Sequence, residues 1–152
     1  FPLPRGFSLL APGRLRLTAD RLPPSSEFAL GGAGQLPGYA EATALGDGAV
    51  WGQLKVQSPI IHVLHRRAPT PLDAVRFSAT YSAGRVSIRD LTALEAGQGL
   101  RNQRQLESVA LGAVYEYSRH LQVNLTYGWE LRSPGPGAAR SSRGHVSAVL
   151  TY

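Results

Sequence analysis

Three groups of residues in this sequence could do chemistry. "GHVSAV" (144–149) sets His145 and Ser147 two positions apart, on one face of an extended strand, and Glu130 on the preceding strand points the same way. A base, a nucleophile and an orienting acid so arranged would suit acyl transfer. No G-x-S-x-G turn accompanies them, so polar strand residues are expected here and not a hydrolase. His62 and His65 stand three apart beside Arg66 and Arg67, with Asp73 the nearest carboxylate, in a segment without strong helical periodicity. A metal needs three or four converging ligands, so solvated histidines and no metal site are expected. "ALGGAGQLPGY" (29–39) carries four glycines and a proline and could cradle a phosphate. It lacks the Lys-Ser/Thr of a P-loop, and no helical pattern follows to supply an N-terminal dipole, so no nucleotide or other cofactor is expected. The absence of cysteine removes thiolate ligands, disulfides and cysteine nucleophiles together.

The elements that position these residues read as strands. In "LQVNLTYGWEL" (121–131), Leu121, Val123, Leu125, Tyr127, Trp129 and Leu131 take one face, and Gln122, Asn124, Thr126, Gly128 and Glu130 the other. Eleven residues of strict alternation are about twice the usual soluble strand and match a tilted strand crossing a bilayer. Alternation recurs in "RLRLTAD" (14–20), "VWGQLKVQS" (50–58), "VRFSATY" (75–81), "SVALGAVYEY" (108–117) and "GHVSAVLTY" (144–152). The sequence therefore predicts an all-β chain, an antiparallel transmembrane β-barrel segment of about six strands. Six cannot close a filled ring, which takes about eight, so the segment belongs to a larger barrel or is completed by oligomerisation.

Within these strands the charges Arg14, Arg16, Asp20, Lys55, Arg76, Glu116 and Glu130 keep to the polar face, expected to line a lumen as loop contacts or polar filling. Arg85 and Glu107 break the phase and are expected at strand ends, where a headgroup region would receive them. The outward aromatics Tyr81, Tyr115, Tyr117, Tyr127, Trp129 and Tyr152 fall toward strand ends, as interfacial belts do. "SRH" (118–120) reads as a tight turn, whereas 87–105 and 132–142 read as long polar loops; short turns on one side and long loops on the other are an outer-membrane habit. The net charge of +6 comes from Arg and a single Lys, scattered with no run beyond Arg66-Arg67, so no nucleic-acid footprint is expected. The chain lacks methionine and shows no signal-peptide pattern, so its first residue reads as a processing or truncation boundary.

With that pattern in place, "FALGGAGQLPGY" followed by "EATALGDGAVWGQLKVQSP" resembles the C-terminal barrel region of two-partner secretion transporters, the ShlB/FhaC/HecB (TpsB) family, in the superfamily of the BamA and TamA assembly factors. In that family a "LGG…(V/L)RGY" loop precedes a "GD.G…ELR.P" strand; "TYSAGRV" (80–86) is similar to its "F.DAGRV" strand and "ESVALGAVYEY" to its "S.GLG.R" strand. The resemblance covers nearly all of the chain and rests on the order and spacing of these motifs. It implies a sixteen-stranded barrel preceded by periplasmic POTRA domains, of which this chain, residues 1–152, would be roughly the last third, without those domains.

The implied function is an outer-membrane pore of a Gram-negative bacterium, not an enzyme, that secretes and activates a large exoprotein of the haemolysin or adhesin type. Its partners would be that exoprotein, the outer-membrane lipids and the barrel-assembly machinery. Residues 25–48 would be an extracellular loop folded into the lumen, with Gly31, Gly32, Leu36, Pro37, Gly38 and Tyr39 as its motif and Tyr39 anchoring the tip. Ser82 and Gly84 would lie on the inner-wall partner strand, and Val146, Ala148, Leu150 and Tyr152 would form the C-terminal assembly signal. The family has Arg where this sequence has Pro37, and Asp where it has Ser82; without that ion pair a looser loop tip is expected. Alternatives are an assembly factor of the BamA/TamA kind, the barrel of a patatin-type phospholipase, which also carries an "LGG…GY" loop, and a plain soluble β-domain.

Overall fold

The computed structural model describes residues 1–18, 23, 26–63, 72–88, 103–118, 120–135 and 137–151. Expectations that fall on Ala19, Asp20, His65, Arg66, Arg67 and Tyr152 lie outside these residues. Among the described residues the chain is all-β and antiparallel, its one helical element a single 3-10 turn at Pro4–Gly6.

The described residues form nine strands: β1 (Ser8–Leu10), β2 (Gly13–Arg16), β3 (Phe28–Leu30), β4 (Ala44–Gly46), β5 (Gly48–Gln57), β6 (Asp73–Ser87), β7 (Gln103–Tyr117), β8 (Leu121–Glu130) and β9 (Ser142–Leu150). β5 to β9 pair in sequence order as an antiparallel meander, and β1 and β2 both pair with the free side of β5. Their register is continuous, Leu10 opposite Lys55 and Gly13 opposite Gly52, so they are one edge strand interrupted at Ala11-Pro12. The large sheet thus has six strand positions and stays open, and β3 and β4 form a separate two-stranded hairpin.

Several boundaries differ from those read in the sequence. The first strand occupies 8–16 and not 14–20, because the chain holds its phase through Pro12, which hides the alternation before it; Leu17 and Thr18 lie beyond the strand. β6 and β7 extend to Ser87 and back to Gln103, past the alternating apolar part of each, so Arg85 and Glu107 are paired within strands and not at their ends. The last strand starts earlier, at Ser142, and ends at Leu150.

The β5–β6 hairpin also continues beyond Gln57: Ser58 N–H donates to Phe77 O at 2.9 Å, and Ile61 and Val75 exchange backbone bonds of 2.9 and 2.8 Å. Four steps from Gln57 to Ile61 match three from Ser78 to Val75, a bulge centred where Pro59 cannot donate. Asp73 closes this end by accepting from Val63 N–H at 2.6 Å through its carboxylate and from the His62 ring through its carbonyl.

The ladder sorts the side chains onto two faces, since directly paired residues share a side. One face carries the rows Leu54–Tyr81–Val109–Trp129, Val56–Ala79–Leu111–Tyr127 and Phe77–Ala113–Leu125–Val146. Nothing among the described residues covers it: Phe77 is 52% exposed, Leu111 57%, Leu125 47% and Val146 74%. The opposite face carries Gln53–Ser82–Ser108–Glu130, Lys55–Thr80–Ala110–Gly128 and Gln57–Ser78–Gly112–Thr126. The core lies on this second, more polar face, beneath the glycine-rich loop and the β3–β4 hairpin.

Candidate functional site

The loop seated on the polar face is the most built part of the molecule. Phe28, Leu30, Leu36, Tyr39 and Ala44 from the loop segment join Ala49, Val86 and Leu106 of the sheet in one buried cluster, with Trp51 packed against it. Sequence dictates the fit through missing side chains. A Cβ at Gly84 would lie 2.8 Å from Leu30 Cδ2, and one at Gly128 only 2.4 Å from the Pro37 carbonyl carbon, so these wall glycines admit the loop. On the loop, Gly38 has φ +107° and would drive a Cβ to 2.9 Å from the Trp129 carbonyl carbon. Only glycine takes that backbone conformation at such a distance from another chain segment without strain.

Tyr39 fixes the tip. Its side chain is fully buried. Its hydroxyl shares one proton between Arg132 O at 2.6 Å and Glu107 O at 2.9 Å, and lies 3.3 Å from the N–H donors of the same two residues. Burial pushes the phenol above the ordinary tyrosine value; hydrogen bonds at Glu107 and Arg132 act in the opposite direction, and the Glu130 and Glu107 carboxylates reinforce burial. Above the anchor, Arg132 Nε and Glu107 Oε1 form an ion pair of 2.7 Å. Trp51 Nε1 donates to Gln35 O at 2.9 Å and Arg104 to Thr43 O at 3.2 Å, holding the loop along its length.

Pro37 is buried over β8, while Ser82 lies on β6 and its hydroxyl accepts from Gln53 Nε2 at 3.0 Å. With β7 between them, the two positions are separated by two strand spacings, about 10 Å. The tip, expected to be looser without a charge pair, is held by neutral groups and backbone contact. Gly31 and Gly32 have φ of +138° and +84° and turn the chain at the foot of the loop, where Leu36 N–H donates to Gly32 O at 2.9 Å.

By register, Arg14, Arg16, Lys55, Arg76, Glu116 and Glu130 all lie on the loop-bearing face, opposite Trp51, Ala49, Thr80, Val114, Ala74 and Ser108 respectively. Glu130 is buried, and both its oxygens accept from Ser141, one from N–H and one from Oγ, each at 2.9 Å. The hydrolase constellation is not assembled. Ser147 Oγ accepts from Asn124 at 3.3 Å, and His145 pairs across the ladder with Thr126, its buried Nε2 without a hydrogen-bond partner among the described residues. No group of metal-binding side chains is found among the described residues. Val146, Ala148 and Leu150 share the uncovered face of β9, opposite Leu125, Val123 and Leu121.

Sequence reading missed Ser108, which is buried between Ser82 and Glu130 with its Oγ lacking a hydrogen-bond partner among the described residues. It also missed the seat that Gly128 provides; the signal was a glycine in the middle of an otherwise uninterrupted strand. Comparison of the chain with protein-family models, curated proteins and solved structures returned no match.

Proposed function

We propose that this chain is the C-terminal part of an outer-membrane β-barrel of the two-partner secretion kind, with the glycine-rich loop seated in its lumen, and that the complete barrel conducts an exoprotein across the membrane. One observation carries the reading: the sheet buries its polar, glycine-rich face and leaves its apolar face bare. A water-soluble sheet does the reverse, because apolar area left in water costs roughly 25 cal/mol per Å². Hydrocarbon outside and a wet interior remove the contradiction.

The dimensions agree. Along β7 the uncovered apolar face runs from Val109 to Tyr117, nine residues. At about 3.4 Å per residue and a tilt of ~40°, that crosses roughly 23 Å, against an apolar band of about 25 Å for such barrels. Tyr115 and Tyr117 mark one border; Tyr81, Tyr127 and Trp129 mark the other, the last two in edge-to-face contact at 4.8 Å. Beyond the second border the same face turns polar, with Arg85, Gln103, Gln105 and Glu107.

The connections spanning 17–47, 88–102 and 131–141 all leave from that polar end, while 118–120 and 58–72 lie at the other. In this reading the first end is extracellular, the loop obstructs the lumen, and the protein acts by guiding a substrate and not by catalysis. The bilayer part is tested by single cysteines, introduced without background because the chain has none. Nitroxides at Val123, Leu125 and Tyr127 are expected to respond to lipid-soluble oxygen, and those at Gln122, Asn124 and Thr126 to a water-soluble nickel reagent; the same response at all six overturns it. Planar-bilayer conductance of the barrel containing this chain, with and without residues 31–39, tests the lumenal loop: higher conductance on deletion is expected, and no change refutes it.

A further inference from the structure

On the uncovered face, between the edge strand and β6, the sheet is hollowed. Ala11, Pro12, Gly52 and Ala83 supply little side chain, and a groove of about 580 Å³ opens between Leu54 and Tyr81 at one end and Val50, Arg85 and Gln105 at the other. A Cβ placed on Gly52 would meet nothing within 4 Å. Tyr81 and Arg85 are four positions apart, so the groove follows the strands for about 13 Å. Beyond it lies a second hollow of about 270 Å³, sharing Val50 and Arg85 and bordered from the rim of the sheet by Arg16, Ser87 and Gln103.

The two hollows form a gradient. The first is walled by aliphatic and aromatic groups; the second offers the Arg85 guanidinium, two amides within reach and a hydroxyl. Among the described residues, no carboxylate lines either hollow. Arg85 donates to the Gln103 side-chain oxygen and is otherwise exposed. Asp47, adjacent in sequence to Gly48, is buried. The cationic end is the polar end of the sheet, where a membrane would place its headgroups.

Resting on the bilayer reading above, we infer that this groove is a binding site for one anionic phospholipid, its acyl chain lying over Gly52 and Ala83 and its phosphate held by Arg85. A guanidinium presents paired N–H donors to phosphate oxygens. The floor of small residues accepts a methylene chain that a flat leucine-lined wall would only touch.

The test places bimane on a single cysteine, either at Val56, beside the groove on the same face, or at Leu125, three strands away. The labelled chain is reconstituted in phosphatidylcholine vesicles that carry spin-labelled phosphatidic acid or spin-labelled phosphatidylcholine. At position 56, phosphatidic acid is expected to quench with an excess of roughly fivefold over phosphatidylcholine, the enrichment that one arginine near the surface supplies; at position 125 the two lipids are expected to quench equally. Arg85→Gln, which leaves the groove shape intact, and Gly52→Leu, which fills it, are each expected to abolish the excess. Equal quenching by both lipids at position 56 overturns the groove while leaving the bilayer reading standing. Absence of quenching by either lipid at both positions overturns the bilayer reading and the groove with it.

Discussion

Removing one oxygen atom, in Tyr39→Phe, measures how firmly the loop is seated. The ring would keep its place in the cluster with Leu30, Leu36 and Leu106. The backbone groups of Glu107 and Arg132 would lose their common partner. Glu107 O retains Leu131 N–H at 2.8 Å, so the loss concentrates on Arg132 O and the two N–H groups. A net hydrogen bond is worth about 0.5–1.5 kcal/mol, and a buried group left unpaired costs about 1–3 kcal/mol. The seated state should therefore lose about 1–3 kcal/mol, a rise of roughly 5- to 150-fold in the unseated population. Amide hydrogen exchange reads this at Leu36, Tyr39, Glu107 and Arg132, and the faster exchange should be confined to these contacts.

The same hydroxyl gives the effect a pH signature. The seated phenol has its pKa raised above the free value of about 10, so its contribution is complete below that value and disappears as pH rises through the seated pKa. Once the intrinsic base-catalysed rise in amide exchange is divided out, alkaline pH should thus accelerate exchange in the native chain and leave Tyr39→Phe unaffected. Exchange in Tyr39→Phe within about twofold of the native chain, or an equal alkaline response in both, would refute the seating mechanism.

Gly128→Ala should unseat the loop, at about 1–3 kcal/mol, because its new methyl meets backbone at Pro37; Gly84→Ala should cost less, since it meets the movable end of Leu30. Loop exchange rates that rank the two in the opposite order would contradict the fit described here. Glu107→Gln should change seating by only about 0–1 kcal/mol, the ion pair with Arg132 being partly exposed, and the same exchange experiment checks it. Leu125→Arg should destabilise the chain refolded in lipid by about 2–4 kcal/mol, whereas Thr126→Arg, one residue along on the other face, should have little effect; urea unfolding from vesicles compares them.

The alternating strands were legible because period two survives wherever one face is apolar and the other polar. That pattern located β5, β8 and most of β9, the lower parts of β6 and β7, and the face of Arg14, Arg16, Lys55, Arg76, Glu116 and Glu130. It failed where both faces are polar or small, as in 82–87 and 103–107, which is why Glu107 was expected at a strand end. Three-residue strands such as Phe28–Leu30 and Ala44–Gly46 are too short to show any period, so the hairpin inside the loop was invisible. Tyr39 was legible as an anchor only through the family resemblance; its partners, main-chain atoms of Glu107 and Arg132, carry no sequence signature at all.

Pro12 has a mechanical consequence. Its carbonyl accepts from Gln53 N–H at 2.9 Å, so its nitrogen, which has no hydrogen to give, is turned toward β5 as well. The stitching between the first strand and β5 therefore skips a rung midway, beside a stretch already thinned by Gly13 and Gly52. Pulled sideways, the first strand should part from β5 at this joint sooner than at its regularly paired rungs.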